Sequence, residues 1–298
     1  MTDTGLQRRR IAGTFALAAW LSLTIVVQAE PERHCLWRVQ SERQTLYLQG
    51  SVHLLKESDY PLPEALQHAF TNADALVLEI DLGVAEDPDT QITLLSKGLL
   101  TGKATLRDVI TPRTYKLVAG CLTELGADIS AFARFKPWFL ILAMTEIKLR
   151  KLGFDSTLGL DWHFYREAKR AGKAIRGLET LEYQLSLFDG LGDMDQDALV
   201  RQTLQDFDTI EAELGRIVTA WRNGDLATLE ATLLASFKEY PDLYATLITK
   251  RNKAWLTTLE QLLRGDQTVM VVVGAGHLPG PDGLLEQLKK KGYAVEQL

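Results

Sequence analysis

Residues 268–274 (TVMVVVG) form a run with no polar side chain after Thr268, and the run ends on a glycine. A strand apolar on both faces must be covered on both, which calls for helices packed on either side of a central, largely parallel sheet. The flanks agree with that demand. Residues 253–264 read as a helix leading into the strand. A Gly-rich loop follows it, then a helix over 283–291 with Asp282 as its expected cap, the stop Gly292, and a last strand over 293–297. The C-terminal quarter is therefore expected to be a βαβ unit.

The N-terminal part supplies further strands. Residues 35–39 and 45–50 are β-prone runs around the polar Ser41-Glu42-Arg43, the signature of a hairpin whose second strand stops at Gly50. Pro61 and Pro63 open a helix running to Asn72, with Leu66, Ala69 and Phe70 facing a core. Residues 75–82 (ALVLEIDL) read as a buried strand, and period two places Glu79 and Asp81 on one side of it. From about 91 to 265 the pattern is helical, broken at Pro112, Gly126, Pro137, 153–159, Gly172, 190–192, Gly224 and Pro241, with one brief strand at 174–178. The expectation is a single α/β domain over 30–298. It has a central, mostly parallel sheet, an N-terminal hairpin, a C-terminal βαβ unit and a large helical insertion in the middle.

Ahead of this domain, Arg8, Arg9 and Arg10 precede an apolar run over 11–27 that exits through Val27-Gln28-Ala29 to Glu30-Pro31-Glu32. A basic start, an apolar stretch and a small residue at the exit read as a signal peptide over 1–29 cleaved after Ala29, hence a periplasmic or secreted chain. An uncleaved N-terminal membrane anchor is the alternative, and the arginines leave Sec and Tat export both open. The leader carries a net +2 from its three arginines and Asp3, so its loss takes the formal charge from −6 to −8. Without a basic stripe, such a chain is not expected to bind nucleic acid. Cys35 and Cys121 could pair in an oxidising compartment or stand as two free thiols; spacing does not decide between them.

Two of the five histidines share one context. Gly50-Ser51-Val52-His53 and Gly274-Ala275-Gly276-His277 each place an imidazole just past the carboxyl end of an apolar strand. That is the edge where open α/β sheets bind ligands, and Gly50 and Gly274 let the backbone turn sharply out of the sheet. Gly276 loosens the second turn. Glu79 is expected at the same height, and a buried carboxylate needs a cationic partner or a metal. His53, Glu79 and His277 thus make a candidate three-donor set for Zn, Mn or Co, with positions left for water. Asp81 is the reserve donor, and Asp81 or Glu179 is the candidate proton shuttle. Glu179 reads equally as a helix N-terminal carboxylate, Asp161 as a helix cap, and His34, His68 and His163 as surface residues. No Gly-x-Ser-x-Gly, His-Glu-x-x-His or Walker-type loop occurs.

These residues resemble the TraB/PrgY/GumN family, which is related to the Tiki metalloproteases and more loosely to erythromycin-esterase-like and ChaN-like proteins. The likeness is densest in Tyr47-Leu48-Gln49-Gly50-Ser51-Val52-His53, in Ala73-Asp74-Ala75-Leu76-Val77-Leu78-Glu79, and in Val272-Val273-Gly274-Ala275-Gly276-His277-Leu278-Pro279-Gly280 with Asp282-Gly283-Leu284-Leu285. It is weaker through Lys136-Pro137-Trp138, Gly159-Leu160-Asp161, Gly177-Leu178-Glu179-Thr180 and Trp221-Arg222-Asn223-Gly224-Asp225. Gln49-Gly50-Ser51 departs slightly from the family's more usual Gly-Thr. The resemblance implies divalent-metal-dependent peptide cleavage with Mn or Co favoured, or a less defined envelope role. Two other readings remain open: a metal-independent, esterase-like hydrolase with His53 as base oriented by Glu79, and a non-catalytic protein that captures a peptide or another small ligand.

Overall fold

The computed structural model describes residues 32–189, 196–234, 237 and 241–298. The expected leader and the expected break at 190–192 lie outside the described residues. Among those described, no helix is long and apolar enough to cross a membrane.

Six strands form one sheet in the order β4-β3-β5-β2-β1-β6. The strands are β1 (Leu36–Gln40), β2 (Thr45–Ser51), β3 (Ala75–Leu78), β4 (Ala174–Gly177), β5 (Val269–Gly274) and β6 (Ala294–Gln297). The hairpin expected around Ser41 is β1 against β2, with Val39 opposite Leu46. β2, β5, β3 and β4 run parallel, and every residue of β3 and β5 is buried. That double-sided burial is what the apolar runs demanded. β6 is antiparallel to β1 and so runs with β5. The C-terminal βαβ unit is therefore present as a crossover that leaves β2 and β1 between its two strands.

The helices run in chain order around and beyond the sheet. α1 (Glu64–Asn72) buries Leu66, Ala69 and Phe70 as its apolar spacing required. The middle of the chain holds α2 (Leu82–Glu86), α3 (Pro88–Gly98), α4 (Leu106–Val109), α5 (Pro112–Glu124), α6 (Pro137–Lys151), α7 (Leu160–Ala171), α8 (Leu181–Asp189), α9 (Gln196–Asp206), α10 (Ile210–Arg222), α11 (Leu226–Leu233) and α12 (Pro241–Tyr244). A π-helical turn, Ala245–Thr249, leads into α13 (Lys250–Arg264), and α14 (Leu284–Lys290) precedes β6. The main core joins both sheet faces to α1, α7, α13 and α14. A second apolar cluster lies within the helical middle and includes Leu106, Leu122, Leu140, Met144 and Phe207.

Several local expectations are corrected. β3 stops at Leu78, so Asp81 does not continue its alternation; its carboxylate accepts from the Gly83 amide at 2.9 Å and caps α2. A short acid that can satisfy an orphan helix amide competes well with a strand position. α14 is capped by Gly283 without a side-chain bond, while Asp282 turns to Thr249. Gly159, not Asp161, caps α7. His163 is half-buried between the rings of Tyr60 and Phe164. Both cysteines are free thiols: Cys35 sits in the main core, where burial raises its pKa, and Cys121 is half-buried on α5.

Candidate functional site

Register brings the chemistry to one rim. Ser51 lies opposite Gly274, and Leu78 lies opposite both Val272 and Gly177, so β2 and β5 end level with each other and β3 and β4 end two residues before them. The residues that follow these ends are His53, His277, Glu79 and Glu179, in an order set by the sheet. His53 and Glu79 line a cleft of about 390 Å³ together with Asp161, Gln184, Leu247 and Arg251, among others, while His277 and Glu179 lie behind Arg251.

Gly274 matters for space rather than for φ. A Cβ there would lie 3.0 Å from His53 Nε2 and 3.2 Å from Glu79 Oε1, so only a glycine lets these two groups approach the same point. Its backbone amide meanwhile donates to Glu79 Oε1 at 2.7 Å. Gly50 abuts Cys35 and Leu278 in the same manner, whereas a Cβ on Gly276 would meet nothing closer than 3.9 Å.

His53 is held by two residues from elsewhere in the chain. Its Nδ1 is 2.7 Å from Asp161 Oδ2, which also accepts from Ser51 Oγ at 2.6 Å. A carboxylate only accepts, so Nδ1 carries the proton and Nε2 faces Gly274. The adjacent Asp161 charge raises the His53 pKa to about 9, even though the cleft walls disfavour a charged ring. The side chain is still 56% exposed to solvent.

His277 is held differently. Asn252 Nδ2 donates to the carbonyls of His277 and Asp282, which fixes the amide and leaves Asn252 Oδ1 to accept from His277 Nδ1 at 2.7 Å. Nε2 must then accept, and it takes a bond from Arg251 Nη1 at 3.0 Å. Burial lowers the His277 pKa to about 4, so the ring is neutral near pH 7.

Glu79 is ionised. Burial alone would raise its pKa, but His277, His53, Arg251 and the Gly274 amide together bring it down to about 2. Its Oε2 accepts from Arg251 at 2.5 Å and from Gln184 at 3.0 Å. Glu179 is joined to the same guanidinium and to Trp255 Nε1 at 3.0 Å. The structure therefore brings His53 and Glu79 to one cleft, joins His277 and Glu179 to it through Arg251, and leaves Asp81 as a helix cap.

The sequence gives Asp161 only as a helix cap and Gln184 only as a weaker neighbour of Glu179, and it misses Arg251 and Asn252. Arg251 had a signal. Positions 251, 255, 259 and 263 follow one helical stripe whose other members are the buried Trp255, Leu259 and Leu263. A charge on such a stripe must have a partner inside. Asp161 shares the inner face of α7 with Tyr165 and Ala168 and carries a similar, fainter mark.

The donor chemistry suits a divalent cation. In the neutral ring each imidazole has Nδ1 committed to an oxygen and its lone pair on Nε2; that of His277 is taken by Arg251, and that of His53, which faces Gly274 beside Glu79 Oε1, is free once the ring gives up its proton. The spacing is less complete: His277 Nε2 is 3.9 Å from Glu79 Oε1 and Arg251 spans the two. Among the described residues, no three His, Cys, Asp or Glu side chains are clustered tightly enough to grip an ion as they stand.

Over 243 residues, 82% of this chain and 87% of the relative, the sequence is 27% identical to Uncharacterized protein YbaP of Escherichia coli (strain K12). It is 25% identical over 318 residues to Metalloprotease TIKI2 of Danio rerio, covering 88% of this chain and 60% of that protein. It is also 22% identical over 317 residues to Metalloprotease TIKI homolog of Amphimedon queenslandica, covering 88% and 61%. No solved structure matches. Residues 35–297, almost the whole described chain, match the TraB/PrgY/gumN family, and the chain belongs to that family.

Proposed function

We propose that this protein is a divalent-cation-dependent hydrolase that cleaves peptide bonds. The observation that carries the reading is the approach of His53 Nε2 and Glu79 Oε1 to the space beside Gly274, with Nδ1 of both imidazoles committed to oxygen so that Nε2 is the nitrogen turned toward Glu79. The likeness to proteins named metalloproteases supports the same chemistry. His53 Nε2, Glu79 and His277 Nε2 would hold the ion, which can be Mn, Co or Zn.

Such an ion lowers the pKa of bound water toward neutrality and polarises a carbonyl. The chain's own residues do the rest. Asp161 and Ser51 fix the His53 ring, Asn252 fixes His277, and Glu79 stays ionised against its burial. The cleft walls formed by Leu78, Leu82, Leu187 and Leu247 shed water from the reacting bond. The leader over 1–29 supports export, and a peptide in the periplasm or outside the cell is then the substrate.

A second reading is favoured by the Asp161–His53 pair, which resembles a proton-transfer dyad without a metal. Asp161, rather than Glu79, then orients the ring. With its pKa near 9, His53 would serve as a base only in alkaline solution. Mass spectrometry of a peptide library incubated with the chain from Glu30 onward, with and without a chelator, tests both readings. Cleavage abolished by chelation and restored by Mn or Co supports the metal-dependent enzyme. Cleavage that survives chelation and rises toward pH 9 supports the dyad, and intact peptides under all conditions overturn both.

A further inference from the structure

All five N–H groups of Arg251 are committed. Nε donates to Glu179, Nη2 donates to Glu79 Oε2 at 2.5 Å and to Glu179 Oε1 at 2.8 Å, and Nη1 donates to Leu247 O at 3.1 Å and to His277 Nε2 at 3.0 Å. The side chain is 8% exposed and its guanidinium lies 4.5 Å from the Trp255 ring centroid. No donor is left over for a ligand, so Arg251 is not a substrate-binding group. Two of its partners, Glu79 and His277, are groups assigned above to the cation.

We propose that Arg251 is a built-in cation that competes with the divalent ion for His277 and Glu79 and so sets how loosely the ion is held. This rests on the metal-dependent reading of the site. Arg251 cannot lose its proton, so it satisfies Glu79 and Glu179 whenever the ion is absent. The carboxylates carry two negative charges and the guanidinium one positive. A divalent ion entering this cluster therefore meets half the charge it would find if Arg251 were neutral.

The anchoring of the guanidinium fits an exchange. Glu179 and the Trp255 ring hold it, and the same ring packs against His277 at a centroid distance of 4.4 Å. The π-helical turn Ala245–Thr249 presents the Leu247 carbonyl to Nη1, so that nitrogen remains bonded when it releases the imidazole. Wide turns of this kind recur at functional sites. Surrendering His277 and sharing Glu79 leaves the guanidinium its bonds to Glu179 and to the Leu247 carbonyl.

Titrating Mn²⁺ into the chain from Glu30 onward, by chelator competition with a parallel melting curve, tests the proposal in wild type, Arg251→Gln and Arg251→Lys. Arg251→Gln is expected to bind Mn²⁺ roughly tenfold or more tightly than wild type, because one opposing unit charge within a few ångströms is gone. Its ion-free form is expected to melt lower. A compact ammonium cannot fork between both carboxylates and the imidazole, so Arg251→Lys falls between the two. A merely structural arginine would weaken binding when removed, which is the opposite sign. Should Arg251→Gln not fold without the ion, Arg251→Lys decides alone, with tighter binding supporting the proposal. Equal or weaker binding in the variants overturns it while leaving the hydrolase reading intact, and absence of Mn²⁺ binding in wild type as well overturns both.

Discussion

His53 Nδ1 and Asp161 Oδ2 stand 2.7 Å apart across 108 positions of sequence, joining the exit of β2 to the first turn of α7. Gly159 makes the approach feasible, because a Cβ there would fall 2.1 Å from the His53 carbonyl oxygen. The contact decides which imidazole nitrogen faces the cleft. Asp161→Asn keeps the shape and removes the charge. It is expected to weaken divalent-ion affinity about ten- to a hundredfold, the usual effect of losing a carboxylate behind a ligating histidine. The His53 pKa should also fall from about 9 toward its ordinary value. Chelator competition and an NMR titration of the ring check this, and an unchanged affinity contradicts it.

The two glycines of the second turn should behave differently. Gly274 has φ −50°, a backbone any residue adopts, so Gly274→Ala is expected to fold. Its methyl group would nevertheless crowd His53 Nε2 and Glu79 Oε1 and abolish ion binding. Gly276→Ala meets only Leu233 and Leu234 at 3.9 Å and should keep both fold and ion. Melting curves with metal analysis separate the two, and equal behaviour of the pair contradicts the cradle at Gly274.

Much of this arrangement was legible before the fold. Residues 268–274 demanded a doubly covered strand, and the matched Gly-x-x-His turns placed two imidazoles at strand ends, because glycine and apolar runs act locally. Partnerships between distant segments were not legible. Asp161 offered itself as a helix cap, since a short acid two residues past a glycine satisfies that local rule, and only packing of α7 on the sheet turns it toward His53. Glu79 was expected to share a strand face with Asp81. The strand ended at Leu78, four residues short of the expected 82, and Asp81 is drawn instead to the Gly83 amide. Arg251 lay two residues ahead of the helix read over 253–264, and only the longer observed helix, Lys250–Arg264, puts it on the buried stripe.

The ion-free chain should be most stable near pH 6.5. Burial lowers His277 to about 4 from 6.5, so between those values the unfolded chain binds more protons and stability falls as the solution is acidified. For this buried ring the loss is on the order of 3 kcal/mol. Glu79, held near 2 against 4.5, adds a further loss below pH 4.5. His53 acts in the opposite window: Asp161 raises its pKa to about 9, so its contribution is complete below 6.5 and disappears as pH rises through 9. Denaturant melts across pH test this. His277→Gln should flatten the limb between 6.5 and 4, and an unchanged slope there contradicts the assignment.

Ion uptake at pH 7 should release about one proton, since a ligating imidazole must be neutral. His53 carries that proton before loading, whereas His277 and Glu79 have none to give. Calorimetry of Mn²⁺ binding in buffers of different ionisation enthalpy reads the number directly. Release near zero would mean that His53 is not a ligand.

The most direct measurement is the metal content of the chain from Glu30 onward after incubation with Mn²⁺, Co²⁺ or Zn²⁺ and gel filtration, for wild type, His53→Ala, Glu79→Gln and His277→Ala. One ion per chain in wild type, with each variant losing it while still melting cooperatively, is the predicted result. Stoichiometric metal retained by the variants, or no metal in folded wild type, would contradict the account.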